Sequence, residues 1–76
     1  MKGSRTYIGC SSAKNAQAKI ISYLYNGKNV IDTEYYGNRD LAWKKYKEAL
    51  LLPTSSVGFE YQEREGKEWV MYDVAF

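Results

Sequence analysis

The chain has 76 residues and a formal net charge of +2, which is enough for one domain with one small hydrophobic core. It has no His and a single Cys, Cys10, so neither a zinc site nor an internal disulfide framework is expected. No apolar run approaches about 18 residues and no basic-then-apolar leader opens the chain, so we expect neither a membrane-spanning helix nor a signal peptide. A lone cysteine is typical of a reducing compartment.

Aromatic residues make up 16% of the chain, including eight Tyr and two Trp, and these rings can supply the core of a short domain. The charges are unevenly distributed along the sequence. Nine basic and three acidic residues occur up to Lys47, whereas six acidic and two basic residues follow from Glu48 onward. The folded protein would therefore have a basic side and an acidic side, unless the two halves interleave in one sheet and mix their charges.

The first predicted element is a strand over residues 5–10 (RTYIGC), which Gly9 ends or bulges. Residues 11–18 (SSAKNAQA) allow two interpretations. Ser12 could cap a helix, because Ala, Lys and Gln favour helices and several apolar residues would share one face, namely Ala13, Ala16, Ile20 and Leu24. Alternatively, the segment leads into a hairpin.

The hairpin interpretation rests on two β-prone runs, residues 19–25 (KIISYLY) and 28–36 (KNVIDTEYY), which flank Asn26-Gly27. Asn-Gly is the strongest short hairpin signal, because a type I′ turn needs positive φ at both central residues. We therefore prefer the hairpin to a helix that ends on Gly27. A two-residue turn predicts cross-strand pairs between Lys19 and Glu34 and between Tyr23 and Val30.

The segment 38–52 (NRDLAWKKYKEALLL) predicts the only long helix, at about residues 39–52. Asn38 is a suitable N-cap, Asp40 places negative charge at the positive end of the helix dipole, and Pro53 ends the helix. An apolar arc of roughly 120° faces the predicted core. It contains Ala42, Trp43, Tyr46, Ala49 and Leu50. We expect Trp43 and Tyr46 to be buried against a sheet.

The last third of the chain predicts a second hairpin. Residues 57–63 (VGFEYQE) alternate between apolar and small or polar side chains, residues 64–67 contain Gly66 and form a turn, and residues 68–76 complete the pair. The final strand is apolar on both sides, which predicts a central position in the sheet or a covered outer face. The sequence thus indicates one α+β domain over residues 1–76, with an antiparallel sheet of four to five strands, one helix on one face, and the order β-β-β-α-β-β.

Catalysis is not expected from this composition. General acid–base chemistry near neutral pH most often uses His, which the chain lacks, and Cys10 has no His to activate it. The acidic residues near the last turn are expected to be solvated charges. They are Glu60, Glu63, Glu65 and Glu68. No glycine-rich phosphate loop occurs, and we expect no metal and no cofactor.

Two surfaces are candidates for binding. The first combines cations, which bind phosphate, with rings, on which bases stack, and so suits nucleic acid. The same enrichment in Tyr and Arg is typical of protein–protein hot spots. The alternative is that these tyrosines are half-buried residues of the core. This first surface comprises Lys14, Lys19, Lys28, Arg39, Lys44, Lys45 and Lys47 with Tyr23, Tyr25, Tyr35 and Tyr36. The second is an acidic face. It comprises Glu63, Glu65 and Glu68.

Two resemblances follow from these patterns. Residues 26–50 (NGKNVIDTEYYGNRDLAWKKYKEAL) resemble the second hairpin strand and helix of AP2-type and integrase arm-type DNA-binding domains, from which the acidic strand residues Asp32 and Glu34 depart. The short length, the single helix on a sheet and the terminal hairpin are similar to small phage-encoded inhibitors of host defence, notably anti-CRISPR proteins. The second resemblance implies a non-catalytic module that binds a host protein or complex in the host cytoplasm, with no membrane partner. The alternative is a small DNA- or RNA-binding accessory domain.

Overall fold

The computed structural model describes residues 4–24, 29–51 and 57–75. One α-helix and five strands form an α+β structure, which confirms the predicted class. The elements are β1 (Ser4–Ile8), a 3-10 helix (Ala13–Asn15), β2 (Ala18–Leu24), β3 (Asn29–Tyr36), α1 (Arg39–Leu50), β4 (Val57–Glu65) and β5 (Glu68–Ala75).

The sheet is mixed, so the prediction of an antiparallel sheet is wrong. Its strands lie in the order β1-β3-β2-β4-β5, and β1 runs parallel to β3 whereas the other neighbours are antiparallel. The element order also includes the 3-10 helix, which the expected order β-β-β-α-β-β omitted. The parallel pairing of β1 with β3 arises because the segment 9–17 passes the end of β3 and places β1 and β2 on opposite sides of that strand. Backbone bonds fix this crossing, since Gln17 donates to the Tyr36 carbonyl at 2.8 Å and Gly37 donates to the Ile8 carbonyl at 2.9 Å.

Residues 18–24 form a strand, so the hairpin interpretation is confirmed over the helical one for this part of the chain. The proposed turn at Asn26-Gly27 lies outside the described residues. Tyr23 pairs with Val30 as predicted, but Lys19 lies opposite Tyr35 rather than Glu34. The register shifts by one residue between Ser22 and Tyr23, because an extra residue of β3 forms a β-bulge that the sequence pattern did not reveal.

The helix begins as predicted, because the Asn38 side chain accepts a hydrogen bond from the Leu41 N–H at 3.0 Å. It ends at Leu50, slightly before the expected end, and Pro53 lies outside the described residues. Strands β3 and β4 are both antiparallel to β2, so α1 carries the chain across β2 and packs on β2, β3 and β4. Within the described part of the chain, no helix has the length and apolar character needed to cross a membrane.

The core lies between α1 and the sheet, and tyrosines supply its largest side chains. The fully buried rings are Tyr36, Tyr46 and Tyr61, and the smaller members of this cluster are Ala18, Ile20 and Ala42. The expected burial of Trp43 is wrong, because its side chain is 40% exposed. It lies at the margin of the helix, where its ring stacks on Tyr46 at 5.6 Å and tilts against Tyr61 at 5.1 Å.

Strand β5 occupies an edge of the sheet, so the expected central position is wrong. The chain places it there because β4 already has β2 as its other neighbour. A strand that is apolar on both sides therefore has only one strand partner within the described structure.

Gly37 is the tightest point of the crossing between β1 and β3. A Cβ at this position would lie 2.1 Å from the Gly9 carbonyl oxygen, and neither backbone can move away without breaking the Gly37–Ile8 hydrogen bond. We expect Gly37→Ala to lower the free energy of unfolding by about 1–3 kcal/mol, as overpacking does elsewhere. Urea unfolding of the variant and the parent checks this, and equal midpoints would contradict the crossing geometry.

Candidate functional site

The sheet has one covered face and one open face. Ile20, Tyr36 and Tyr61 point toward α1, and because side chains alternate along a strand, their neighbours Lys19 and Tyr35 point the other way. No second layer packs on that side within the described residues. We call this surface the open face. It comprises Arg5, Tyr7, Lys19, Tyr23, Val30, Thr33, Tyr35, Glu60, Gln62, Arg64, Trp69, Met71 and Val74, which surround the buried Ile21.

Three rings and a lysine form a connected array at the centre of the open face. Tyr7 stacks on Tyr35 with ring centroids 5.2 Å apart and an interplanar angle of 14°, and Tyr35 approaches Trp69 at 6.3 Å. The Lys19 Nζ lies 4.5 Å from the Trp69 centroid and 5.9 Å from that of Tyr35. The array therefore joins side chains of β1, β3, β2 and β5 through cation–π and ring contacts.

Arg64 supports one end of this array. Its Nε donates to the Ala16 carbonyl at 2.8 Å, a second guanidinium nitrogen donates to the Ala13 carbonyl, and the guanidinium carbon lies 4.5 Å from the Trp69 centroid. These bonds hold the 3-10 helix against the end of β4. Arg64 thereby fixes Trp69 and loop 9–17 relative to one another. It belongs to β4 rather than to the predicted turn over residues 64–67.

The charges of the strands sort by face of the sheet rather than by half of the chain. The cations Arg5, Lys19 and Arg64 lie on the open face, where Glu60 is the carboxylate opposing them in the described strands. Several carboxylates lie on the helix side instead. Two of them, Asp32 and Glu34, are the acidic residues that depart from the DNA-binding resemblance. The carboxylates on the helix side are Asp32, Glu34, Glu63, Glu65 and Asp73. The open face therefore has excess positive charge.

The pKa values of two side chains on the open face, Lys19 and Tyr23, are shifted by their surroundings. Burial lowers the pKa of Lys19, while Glu60 acts in the opposite direction and Arg64 adds to the lowering. The Tyr23 hydroxyl donates to Glu60 at 3.0 Å, and burial together with this carboxylate raises the pKa of Tyr23. Glu60 is thus engaged by Tyr23, and in the described structure Lys19 makes no ion pair within 4.0 Å.

The basic residues singled out from the sequence do not form one surface. Tyr23 and Tyr35 lie on the open face, whereas Lys44, Lys45 and Lys47 lie on α1, on the other side of the sheet. Lys45 pairs with Glu48 at 3.8 Å, and the Lys47 Nζ is 5.8 Å from the Trp43 centroid. Tyr36 is 2% exposed and belongs to the core, which removes it from the accessible surface. Lys28 and Tyr25 lie outside the described residues.

Arg39 joins the predicted basic set to the predicted acidic face. Its guanidinium lies 3.5 Å from Glu63 and 3.9 Å from Glu65, and it also donates to the Arg64 carbonyl. Glu68 lies opposite Glu65 in the register of β4 and β5. These carboxylates partly neutralise a cation of this chain, so they form a mixed cluster rather than a purely acidic surface.

The edge strand β5 is the second notable surface. Four apolar or aromatic side chains are well exposed along it, and Met71 and Tyr72 are the most exposed at 55% and 53%. The other two are Val70 and Val74. On the helix side, Tyr72 lines an open groove of about 350 Å³ together with Trp43 and Tyr61. The opposite edge, β1, is shorter and includes the polar residues Ser4, Arg5 and Thr6.

Cys10 is half-buried, and its thiol donates to the Tyr35 carbonyl at 3.5 Å. This contact connects the segment after β1 to the backbone of β3. Within residues 4–24, 29–51 and 57–75, no group of three or more His, Cys, Asp or Glu side chains is placed to hold a metal ion. Comparison of the chain with protein-family models, with curated proteins and with solved structures finds no match.

Proposed function

We propose that this chain is a non-catalytic protein-binding module, of the kind that small phage or mobile-element inhibitors use to occlude a host defence protein or complex. One observation carries the proposal, namely that a strand with apolar side chains on both faces lies at the edge of the sheet. Exposed, long and apolar edge strands are a liability that proteins usually protect with charges, Pro or short length. On β5 only Glu68 and Asp73 are charged, and the strand is eight residues long.

Edge strands bind partners through their main chain. The outward N–H and C=O groups of β5 are arranged to accept an added strand, and the side chains on either face would contact alternate residues of that strand. The groove beside Tyr72 offers a site for an apolar or aromatic side chain of the partner, because Trp43 and Tyr61 form its walls. The proposed mode of action is strand addition at β5, with the remainder of the small domain blocking the surface next to it.

The site chemistry supports a binding role rather than a reaction. The nucleophile candidate Cys10 donates to a backbone carbonyl rather than to a base. Three carboxylates of the helix side, Glu34, Glu63 and Glu65, are engaged by Arg39 or by tyrosine hydroxyls, as in the bond from Tyr61 to Glu63 at 2.7 Å. These contacts fix side chains in place, which suits a rigid recognition surface.

A charge introduced on β5 should abolish capture of the partner. We expect Val70→Lys to reduce capture from an extract of the native host at least tenfold, because an added strand would bury the new ammonium group. Thr6→Lys is the matched control, since it places the same residue on the other exposed edge, and it should leave capture unchanged. Both sites are exposed, so both variants should melt close to the parent.

The comparison has clear contrary outcomes. If Val70→Lys captures the same protein as strongly as the parent while retaining its fold, β5 is not the contact surface. If the immobilised parent captures no protein, or if free parent protein does not compete for the captured protein, the proposed protein-binding function is wrong.

A further inference from the structure

The open face carries a second set of features, most of them on strands other than β5, that main-chain pairing at β5 does not require. Its central rings are partly accessible, and Tyr7 is 40% exposed. Tyr7 stacks on Tyr35 at 5.2 Å and Trp69 is tilted against Tyr35 at 6.3 Å, so the rings form one continuous array rather than lying in separate pockets. Tyr35 and Trp69 are half-buried beside the exposed Tyr7. An array of partly exposed rings on a sheet is a surface on which unpaired bases can stack, and every base offers a π-face to it.

The charge around the rings complements phosphate. The cations of the strands lie on this face and most of their carboxylates lie on the other, so the surface that carries the rings also carries the positive potential. Lys19 lies between two of the rings and has no ion-pair partner among the described residues. Burial lowers its pKa, and an anion placed beside it would offset that cost.

We propose that the open face binds single-stranded nucleic acid, with bases stacked on Tyr7, Tyr35 and Trp69 and phosphates held by Arg5 and Lys19. This site is additional to the β5 edge and does not depend on the protein-binding function. Arg64 acts as a positioning residue, because its guanidinium is committed to the carbonyls of Ala13 and Ala16 and orients Trp69.

Single strands fit this surface better than a duplex does. In a duplex the base faces are stacked on one another, so the rings of the open face could contact only phosphate and sugar. Duplex DNA is read by a helix or a ribbon inserted in the major groove. The helix α1 lies on the opposite side of the sheet from the rings, and its lysines are interspersed with Asp40 and Glu48.

The test is fluorescence anisotropy with labelled single-stranded DNA and RNA ten-mers and with the matching duplex, at about 50 mM and about 200 mM salt. We expect single strands to bind more tightly than the duplex. Tyr7→Ala should weaken binding to single strands by about 5- to 150-fold, which is the range for loss of one stacking contact. Lys19→Gln should make the plot of log affinity against log salt less steep by about 0.7.

Lys44→Gln is the matched control for Lys19→Gln, because it removes the same charge from the helix side of the molecule. It should leave affinity and salt slope unchanged. Arg5→Ser provides a second variant at an exposed site and should also weaken binding, which keeps the test decisive if Tyr7→Ala fails to fold. Thermal melts of every variant establish that the fold is retained.

Several results would overturn the proposal. These are the absence of saturable binding to single strands at low salt, tighter binding to the duplex, or an equal effect of Lys44→Gln and Lys19→Gln. If oligonucleotides do not bind but Tyr7→Ala abolishes protein capture, the open face is instead part of the protein interface. Because capture by β5 is measured separately with Val70→Lys, the failure of one proposal leaves the other intact.

Discussion

Replacing Tyr46 with Ala is expected to remove a large part of the stability of the protein. Its ring is fully buried between α1 and the sheet, with its centroid 5.4 Å from that of Tyr61 and 5.6 Å from that of Trp43. Removing a buried aromatic ring costs about 3–5 kcal/mol, and a domain of this length has about 4–11 kcal/mol of stability in total. Circular dichroism during urea unfolding provides the measurement, and a cooperative transition close to that of the parent would contradict the proposed core.

Two further variants test whether the buried ring of Tyr46 accounts for this loss of stability. The Tyr46 hydroxyl makes no hydrogen bond of regular geometry with the described residues, so Tyr46→Phe should change stability by less than about 1 kcal/mol or increase it slightly. Trp43→Ala should cost clearly less than Tyr46→Ala, because the Trp43 side chain is partly exposed. A larger loss at Trp43 than at Tyr46 would show that the helix packs on the sheet through a different face.

Alkaline unfolding is expected to follow from the same tyrosines. Burial raises the pKa values of Tyr36, Tyr46 and Tyr61 above the ordinary value, and nearby carboxylates raise them further, namely Glu34, Asp73 and Glu63 respectively. The folded state therefore keeps these protons at a pH where the unfolded chain releases them. Stability is unaffected below about pH 10 and decreases above it, by about 1.4 kcal/mol per pH unit for each tyrosine.

Together, the three tyrosines lower the free energy of unfolding by about 4 kcal/mol for each pH unit above about pH 10. This decrease exceeds the effect of most single substitutions. Urea unfolding at several pH values, followed alongside tyrosinate absorbance, tests this expectation. The buried tyrosines should ionise only as the protein unfolds. Tyr46→Phe should make the decrease less steep. Simultaneous ionisation of all eight tyrosines without loss of structure would contradict it.

Local signals in the sequence were sufficient for much of the fold. The N-cap at Asn38 and the apolar arc that follows located α1, and alternation around Gly66, which adopts a φ of 66°, located the pair β4 and β5. The parallel partner of β1 was not accessible in the same way, although the pairs β2–β3 and β4–β5 were predicted as hairpins. The parallel pairing of β1 with β3 depends on the path of residues 9–17 around the end of β3, and no local propensity encodes that path.

The candidate surfaces were only partly predictable for the same reason. Tyr35 and Lys19 were identified as ring and cation, but their contacts with Tyr7 and Trp69 require β1 and β5 to occupy opposite edges of one sheet. The helix lysines and the strand tyrosines were predicted to share one surface, because charge along a sequence does not show which face of a sheet each residue will occupy. The exposure of β5 followed only from the strand order.

The most direct test of the proposed function is hydrogen exchange of the β5 amides in the free protein and in complex with the captured partner. Strand addition predicts that the outward amides of β5 exchange readily in the free protein and become at least tenfold more protected in the complex, while those of β1 remain unchanged. Protection confined to α1, with β5 exchanging as in the free protein, would contradict strand addition at this edge.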